Sequence, residues 1–226
     1  MDRVLPYFPY ILKGFGMTVL IAVLAIIGDV VIGALLTAMR RSRFRVPRGI
    51  ALVFVEVSRG TSEVVQLFWV FFALPVLLRL QLPPLVAAVA VLSINGGAYA
   101  SEVMRGSLNA VPKVQYEACV ALGFSRFTAM RRVIGPQAIR IMLPSLANVA
   151  TNTAKTTSVV SLVTIADLAF AVQTVRINTG ESVVAYLIAL GLYLALTSTI
   201  MFLFERGEHR MQWETMKPRR RKAVTA

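Results

Sequence analysis

Apolar residues along this chain are gathered into five long runs, and polar stretches separate the runs. A helix needs roughly 20 consecutive apolar residues to cross the hydrocarbon core of a bilayer. The pattern predicts membrane helices over about 14–39, 51–78, 84–104, 141–170 and 183–204. The expected fold class is therefore an all-α membrane protein with about five transmembrane helices.

The ends of the chain differ from these runs. Residues 1–13 hold two prolines and three aromatic residues, which suits an external interfacial segment at headgroup depth. Residues 14–204 form one transmembrane domain without an internal repeat, and 205–226 form a basic tail. We therefore expect a single membrane domain with a short segment at each end.

Composition supports the membrane class and excludes several others. Of 226 residues, 57% are hydrophobic and 15% charged, whereas soluble domains carry about 25% charged residues. One cysteine, Cys119, and one histidine, His209, cannot form a usual zinc site, and we interpret Cys119 as a buried thiol. The sequence also has no phosphate-binding loop and no Ser/His/Asp set. We expect no metal, no catalytic residues and no enzyme activity, so uphill transport would need a partner or an ion gradient.

We interpret the net charge of +13 as a sign of how the chain is oriented in the membrane, and not of nucleic-acid binding. Basic residues cluster after the first and third runs and in the tail, while the other side has only Arg3, Lys13, Arg79 and Arg176. The positive-inside rule then places the N-terminus outside and the C-terminus in the cytoplasm, as five crossings require. We expect contact with membrane lipid and none with nucleic acid.

Polar side chains inside the runs are costly in a bilayer and need an explanation. The fourth run is the richest in them, and helix–helix hydrogen bonding is the alternative to a role in transport. Asp29 is expected to pair with a neighbouring helix. The ammonium group of Lys155 needs water or a carboxylate as a partner, and that carboxylate would belong to the solute, to Glu63 or to Glu102. The candidate substrate pathway comprises Asn95, Glu63, Glu102, Asn152, Lys155, Thr156 and Ser158.

The stretch 113–136 between the third and fourth runs predicts a helical hairpin on the membrane surface. A short helix can follow Pro112, Gly123 permits a left-handed turn, and a second helix can run to Pro136, which should stop it. Exposed apolar side chains, expected at Phe124, Phe127 and Met130, would suit a groove on a soluble partner. The alternative is an ordinary basic loop that faces anionic lipid.

The spacing in this stretch resembles the EAA loop of ABC importer permeases. That loop reads E-A-A, three residues, G, nine residues, then I, any residue, L-P. Glu117, Ala118, Gly123 and Pro136 fall at the family spacing, and we name 113–136 the coupling loop. Cys119, Val133 and Gly135 depart from the pattern.

Other segments resemble the polar amino acid branch of these permeases. They are Val55 to Thr61 with Gln66-Leu67-Phe68, Ala98-Tyr99 with Glu102 and Arg105-Gly106, and Lys155 to Ser161. Ser62, Glu63 and Thr156 depart from the branch's usual Pro, apolar residue and Asp. The runs Arg59 to Ser62, Gln66 to Trp69 and Asp167 to Phe170 look most like ectoine/hydroxyectoine permease subunits.

This resemblance implies a type I ABC importer permease-like fold in a bacterial inner membrane. It implies a permease subunit for polar amino acids or related zwitterionic solutes, coupled through the EAA loop to ABC ATPase subunits. A second permease subunit and an extracytoplasmic solute-binding protein would be further partners. No cofactor is expected on this chain, since ATP and Mg would bind the ATPase. Two rivals are an ion-coupled secondary carrier or channel and a membrane-embedded enzyme.

Overall fold

The computed structural model describes residues 4–79 and 82–216, except the side chains of 210–216, and all regular elements in these ranges are helical. A short 3₁₀ turn, Leu5–Tyr7, precedes the first helix. The α-helices are α1 (Phe8–Arg40), α2 (Arg45–Gly60), α3 (Glu63–Phe68), α4 (Leu74–Leu78), α5 (Pro84–Ala110), α6 (Lys113–Ala121), α7 (Arg126–Ala129), α8 (Gly135–Thr156), α9 (Leu168–Thr179) and α10 (Ser182–Met216). The expected interfacial residues Met1–Arg3 and the last ten residues of the basic tail lie outside the described ranges.

The structure has three to five candidate membrane spans, and two of the five apolar runs are broken helices. Within residues 4–79 and 82–216, three single helices are long and apolar enough to span, in Leu5–Arg40, Pro84–Ala110 and Ser182–His209. The second and fourth runs, expected as one helix each, are bent pairs with angles of 107° and 55°. Five spans result if each bent pair crosses once. The first helix also begins at Phe8 rather than at 14, because Pro9 lies in its first turn, where proline is tolerated.

The 107° bend in the second span separates α2 from α3 at two extended residues, Thr61 and Ser62. The Gln66 amide N–H donates to the carbonyl oxygen of Ser58 at 2.8 Å and to the hydroxyl of Thr61 at 2.6 Å. Thr61 in turn donates to the carbonyl of Val57 at 2.8 Å. The side chains therefore satisfy polar groups that the bend releases from the helix.

The 55° break in the fourth span lies between a 3₁₀ segment, Thr157–Val163, and α9. Asp167, fully buried, caps α9 by accepting the Phe170 N–H at 2.9 Å. The hydroxyl of Thr18 in α1 accepts the Leu168 N–H at 2.9 Å. A Cβ at Gly14 would lie 2.7 Å from the Asp167 carbonyl oxygen, so glycine allows α1 to support the break directly.

Helices α1 and α5 form the centre of the bundle and approach each other closely. A Cβ at Gly33 would lie 2.8 Å from the Cβ of Ala100, and one at Gly97 would lie 2.7 Å from the Cβ of Ile32. Small residues allow such contact between membrane helices. At one end of this pair the carboxylate of Glu102 in α5 bonds Arg40 of α1. This close packing fixes the frame on which the bent spans are held.

The coupling loop forms the expected hairpin, except at its end. Helix α6 is followed by Gly123 at a φ of +70°, as predicted, and then by α7. The prediction that Pro136 stops the second helix is wrong, because the chain stays helical from Arg126 to Val163. A π-turn, Met130–Ile134, ends two residues before the proline and takes up the disruption that its ring causes in a regular helix. Gly135 fits this turn, since a Cβ there would lie 2.6 Å from the Met130 carbonyl oxygen.

Candidate functional site

A polar cavity of about 360 Å³ opens between three of the membrane-spanning segments. Helix α3 contributes one lining residue, and α5 and α8 contribute the rest. We name it the polar pocket, and its lining residues are Glu63, Asn95, Gly96, Tyr99, Asn148, Val149, Asn152, Thr153 and Thr156. Its lining of amide, hydroxyl and carboxyl groups is unusual among apolar helices and suits a small polar solute.

Four residues of the predicted pathway line the polar pocket: Glu63, Asn95, Asn152 and Thr156. Asn148, Asn152 and Thr156 are spaced four residues apart on α8, so their side chains form one row along the pocket. The side chain of Glu63 on α3 lies within hydrogen-bonding reach of Thr156 on α8. Two of the three departures from the amino acid branch thus face each other in one site.

Asn95 lines the pocket and also forms hydrogen bonds that stabilise the fold. It is 7% exposed, and its amide N–H donates to the Ser58 carbonyl oxygen at 3.0 Å and to the Gln66 side-chain oxygen at 3.4 Å. These bonds tie α5 to the bend between α2 and α3. Asn95 therefore holds the helix that carries Glu63 beside the pocket.

Glu102, Lys155 and Ser158 do not line the polar pocket. Glu102 bonds Arg40 and Arg105, the latter at 2.7 Å, and lies 4.0 Å from Arg59. It thus joins α1, α2 and α5 in an ion-pair cluster. Lys155 is exposed, and no ion pair in the described ranges joins it to Glu63 or Glu102. Ser158 donates to the Lys155 carbonyl oxygen at 3.0 Å.

Asp29 lies directly behind the pocket wall, although the sequence predicted only that it would pair with a neighbouring helix. It does so: the Thr153 hydroxyl of α8 donates to Asp29 Oδ2 at 2.7 Å. Asp29 is 2% exposed, and within the described part of the chain its Oδ1 has no hydrogen-bond partner. A Cβ at Gly96 would overlap the carboxylate of Asp29, with Oδ1 as the nearest atom and Oδ2 2.6 Å away, so glycine leaves the space that the carboxylate fills. The carboxylate thus touches two residues of the pocket lining.

The predicted pathway left out Asp29, Tyr99 and Asn148, which belong to this site or adjoin it. An available signal for Asp29 was its position, a carboxylate in the middle of an apolar run. Asn148 belongs to the same four-residue spacing as Asn152, which was the available signal for it. The three-dimensional path of α5 was needed to place Tyr99.

The coupling loop presents an exposed surface. Glu117 and Ala118 are exposed, and Phe127 is 73% exposed, as expected for a docking surface. Met130 instead packs against Val111, Ile134 and Ala138. Further exposed apolar residues that the sequence analysis did not single out are Val114, Val120 and Leu122. The interpretation of Cys119 as a buried thiol is confirmed.

Comparisons with known proteins agree on the class of this chain. Residues 29–210 match the family described as the binding-protein-dependent transport system inner membrane component. The chain is 44% identical over 160 residues to a probable amino-acid ABC transporter permease protein, y4tF, of Sinorhizobium fredii (strain NBRC 101917 / NGR234), covering 69% of this chain and 67% of that protein. It is 36% identical over 208 residues to the glutamine transport system permease protein GlnP of Escherichia coli (strain K12), covering 92% of this chain and 95% of that protein.

Solved structures show the same architecture. A chain from the crystal structure of an amino acid ABC transporter with histidines superposes with a TM-score of 0.85 at 31% identity, covering 92% of this chain and 96% of that chain. A chain of the MetNI methionine ABC transporter in an inward-facing conformation gives 0.74 at 17% identity, covering 91% and 98%, and shows the shared fold alone. The expectation of an all-α, permease-like membrane fold is confirmed. The chain belongs to the family of inner membrane components of binding-protein-dependent transport systems.

Proposed function

We propose that this chain is the permease subunit of an ATP-driven ABC importer for polar amino acids or related zwitterionic solutes. The observation that carries the proposal is the polar pocket, in which Glu63, Asn152 and Thr156 come together between membrane helices. Its volume suits a solute of amino acid size. The names of the two relatives, an amino-acid and a glutamine permease, support the same solute class. Ectoine and hydroxyectoine, compact zwitterions, are members of this class that the run Arg59 to Ser62 favours.

The energy comes from a separate ATPase that holds ATP and Mg, and the coupling loop docks on it. Exposed Glu117 and Ala118 on α6, together with Val120, Leu122 and Phe127, offer one charge and several apolar contacts. Gly123 makes the turn between the two arms, and Pro136 lies where the second arm enters α8. This surface suits a groove on a soluble partner.

A continuous helical path supports coupling between the loop and the pocket. The chain is helical from Arg126 in the loop to Val163, beyond the pocket residues Asn152 and Thr156. A helix transmits displacement along its axis, and the π-turn at Met130–Ile134 and Pro144 within α8 are points at which this path can bend. Movement of the docked loop, when ATP closes the ATPase pair, therefore displaces the pocket wall.

An exposed polar face on α8 supports a second permease subunit as partner. Asn148, Asn152 and Lys155 are all exposed on this chain. A lysine facing lipid tails would cost roughly 2.5–3.5 kcal/mol on insertion scales. We propose that a second subunit, identical or paralogous, covers this face and that solute passes between the two. A solute-binding protein delivers the solute from outside the inner membrane, where the N-terminus lies, and the C-terminus is cytoplasmic.

Transport by purified components tests this function. The chain, its ATPase and its binding protein are placed in proteoliposomes, and uptake of labelled glutamine, arginine and ectoine is measured with and without ATP. ATP-dependent uptake of at least one solute is expected, and an ATPase variant without hydrolysis should abolish it. Uptake driven by an ion gradient without ATP would instead favour the ion-coupled carrier.

A further inference from the structure

We propose that Glu63 and Asp29 make one wall of the polar pocket a recognition site for the cationic group of the solute. The pocket then binds solutes that carry an ammonium or guanidinium group and have a net charge of zero or above. It rejects dicarboxylic amino acids. This inference rests on the proposed transport function and specifies its substrate class.

The charge of the pocket lining is of one sign, negative. Glu63 is the one charged side chain among the lining residues that the structure describes, and the others are amides, hydroxyls, a phenol and small residues. A second carboxylate on the solute would meet Glu63 with no basic lining residue to offset the repulsion. The amide groups of Asn148 and Asn152 can donate to a single carboxylate. The lining therefore complements a zwitterion or a basic amino acid.

Asp29 adds a second acidic group behind the same wall. Its Oδ2 accepts from Thr153 at 2.7 Å, whereas its Oδ1 is buried and has no hydrogen-bond partner among the residues that the structure describes. The carboxylate is packed on Gly96, and both Gly96 and Thr153 line the pocket. Asp29 also lies within electrostatic range of Glu63. Because Oδ1 is packed against Gly96 and closed off from the pocket, Asp29 acts on the solute through its negative charge and not through a direct hydrogen bond.

No basic residue of the described chain compensates these two carboxylates. Neither Glu63 nor Asp29 takes part in an ion pair between described residues. Arg59 stands over the ring of Tyr99, with its guanidinium carbon 5.1 Å from the ring centroid, and lies 4.0 Å from Glu102. Its charge is therefore shared with the Glu102 cluster. The ionised forms of two carboxyl groups are unfavourable in a membrane interior without a counter-ion, and a cationic solute group stabilises those ionised forms.

Direct binding to the permease–ATPase complex tests the inference without the selectivity of a binding protein. Affinities for L-arginine, L-glutamine and L-glutamate are measured by isothermal titration on the purified complex. The variants are Glu63→Gln and Asp29→Asn, both close in shape to the original side chains. Glu181→Gln removes the same charge outside the pocket and serves as the matched control.

The wild type should bind arginine and glutamine at least about 10-fold more tightly than glutamate. Because hydrogen bonds to charged groups are worth about 1.5–3 kcal/mol, Glu63→Gln should weaken arginine binding about 10- to 100-fold. The difference between the affinities for arginine and for glutamate should therefore become smaller. Asp29→Asn should weaken arginine binding by a smaller factor, about 3- to 10-fold, since Asp29 acts from behind the lining. Glu181→Gln should change none of the three affinities.

Equal affinity for glutamate and arginine, or unchanged arginine binding in Glu63→Gln, would overturn the proposal. So would the absence of binding by all three probes in a wild-type complex that still imports solute with ATP. The transport function fails differently, through the absence of ATP-driven uptake of any tested solute in the complete system. The two failures are therefore separable.

Discussion

The hydroxyl of Thr153 in α8 lies 2.7 Å from Oδ2 of Asp29 in α1, and this bond joins two helices across 124 residues of sequence. Asp29 also fills the space left by Gly96 of α5. One carboxylate therefore holds together three helices beside the polar pocket. The arrangement links a buried polar contact to the shape of the site that binds solute.

Thr153→Val should weaken both the fold and solute binding. Valine keeps the shape of threonine but removes the hydrogen bond, leaving the carboxylate of Asp29 unsatisfied, at a cost of about 1–2 kcal/mol. Thermal unfolding in detergent should show the loss, and solute affinity should fall about 3- to 10-fold. Thr151→Val is the matched control, because Thr151 is also buried on α8 and its hydroxyl has no partner among the described residues. Equal effects of the two substitutions would refute a special role for the Asp29 bond.

Glu102→Ala should destabilise the protein without altering which solute it prefers. The side chains of Glu102 and Arg40 are only 18% and 13% exposed, so removing the acid leaves Arg40 partly buried without its counter-ion. The expected loss is about 2 kcal/mol, between the values for exposed and fully buried pairs. Glu56→Ala, on an exposed site of α2, should change stability by less than about 0.5 kcal/mol. A change in solute preference in Glu102→Ala would instead show that Glu102 contributes to the substrate pathway, as the sequence predicted.

Gly123→Val should disturb coupling, whereas Gly180→Val should not. Both glycines have positive φ, +70° and +74°, and a Cβ at either would meet no atom within 4 Å, so valine adds only backbone strain, about 1–3 kcal/mol at each. Only Gly123 lies in the coupling loop. Co-purification of the ATPase should fall in Gly123→Val and remain normal in Gly180→Val. Equal retention of the ATPase by both variants would contradict the docking role of the loop.

The two ends of the chain should lie on opposite sides of the membrane. The distribution of basic residues requires this, and so do five crossings, the number that results when each bent pair crosses once. A reporter fused after Ala226 should be cytoplasmic, and a tag before Met1 should be accessible from outside. Both ends on one side would mean that one bent pair does not cross.

The sequence predicted the spans because bilayer thickness sets the length of an apolar run. It did not predict that the second and fourth spans are broken, because a run of apolar residues looks the same whether the backbone bends or not. The bends depend on distant partners, such as Asn95 for the first and Thr18 for the second. The prediction for Pro136 was wrong for a related reason. A π-turn accommodates the proline within a continuous helix, and nothing local in the sequence distinguishes that outcome from a helix end.

Part of the polar pocket was predictable in the same way. Glu63, Asn95, Asn152 and Thr156 stand out in the sequence because polar groups in a membrane need a purpose, and these four line one cavity. Glu102 meets the same criterion but has an ion-pair partner, Arg40, that sequence spacing cannot reveal. Lys155 is on the same helix as the pocket row but does not line the cavity, a distinction that depends on how α8 is rotated against its neighbours.

The number of solute molecules imported per ATP hydrolysed, with the coupling loop intact and altered, tests the central claim most directly. Proteoliposomes hold the chain, its ATPase and its binding protein, and Glu117→Lys reverses the one acidic charge on α6. Wild type should import solute only with ATP, and Glu117→Lys should lose ATPase docking or hydrolyse ATP with much less import while remaining inserted. Wild-type docking and wild-type import per ATP in Glu117→Lys and Gly123→Val would contradict coupling through this loop.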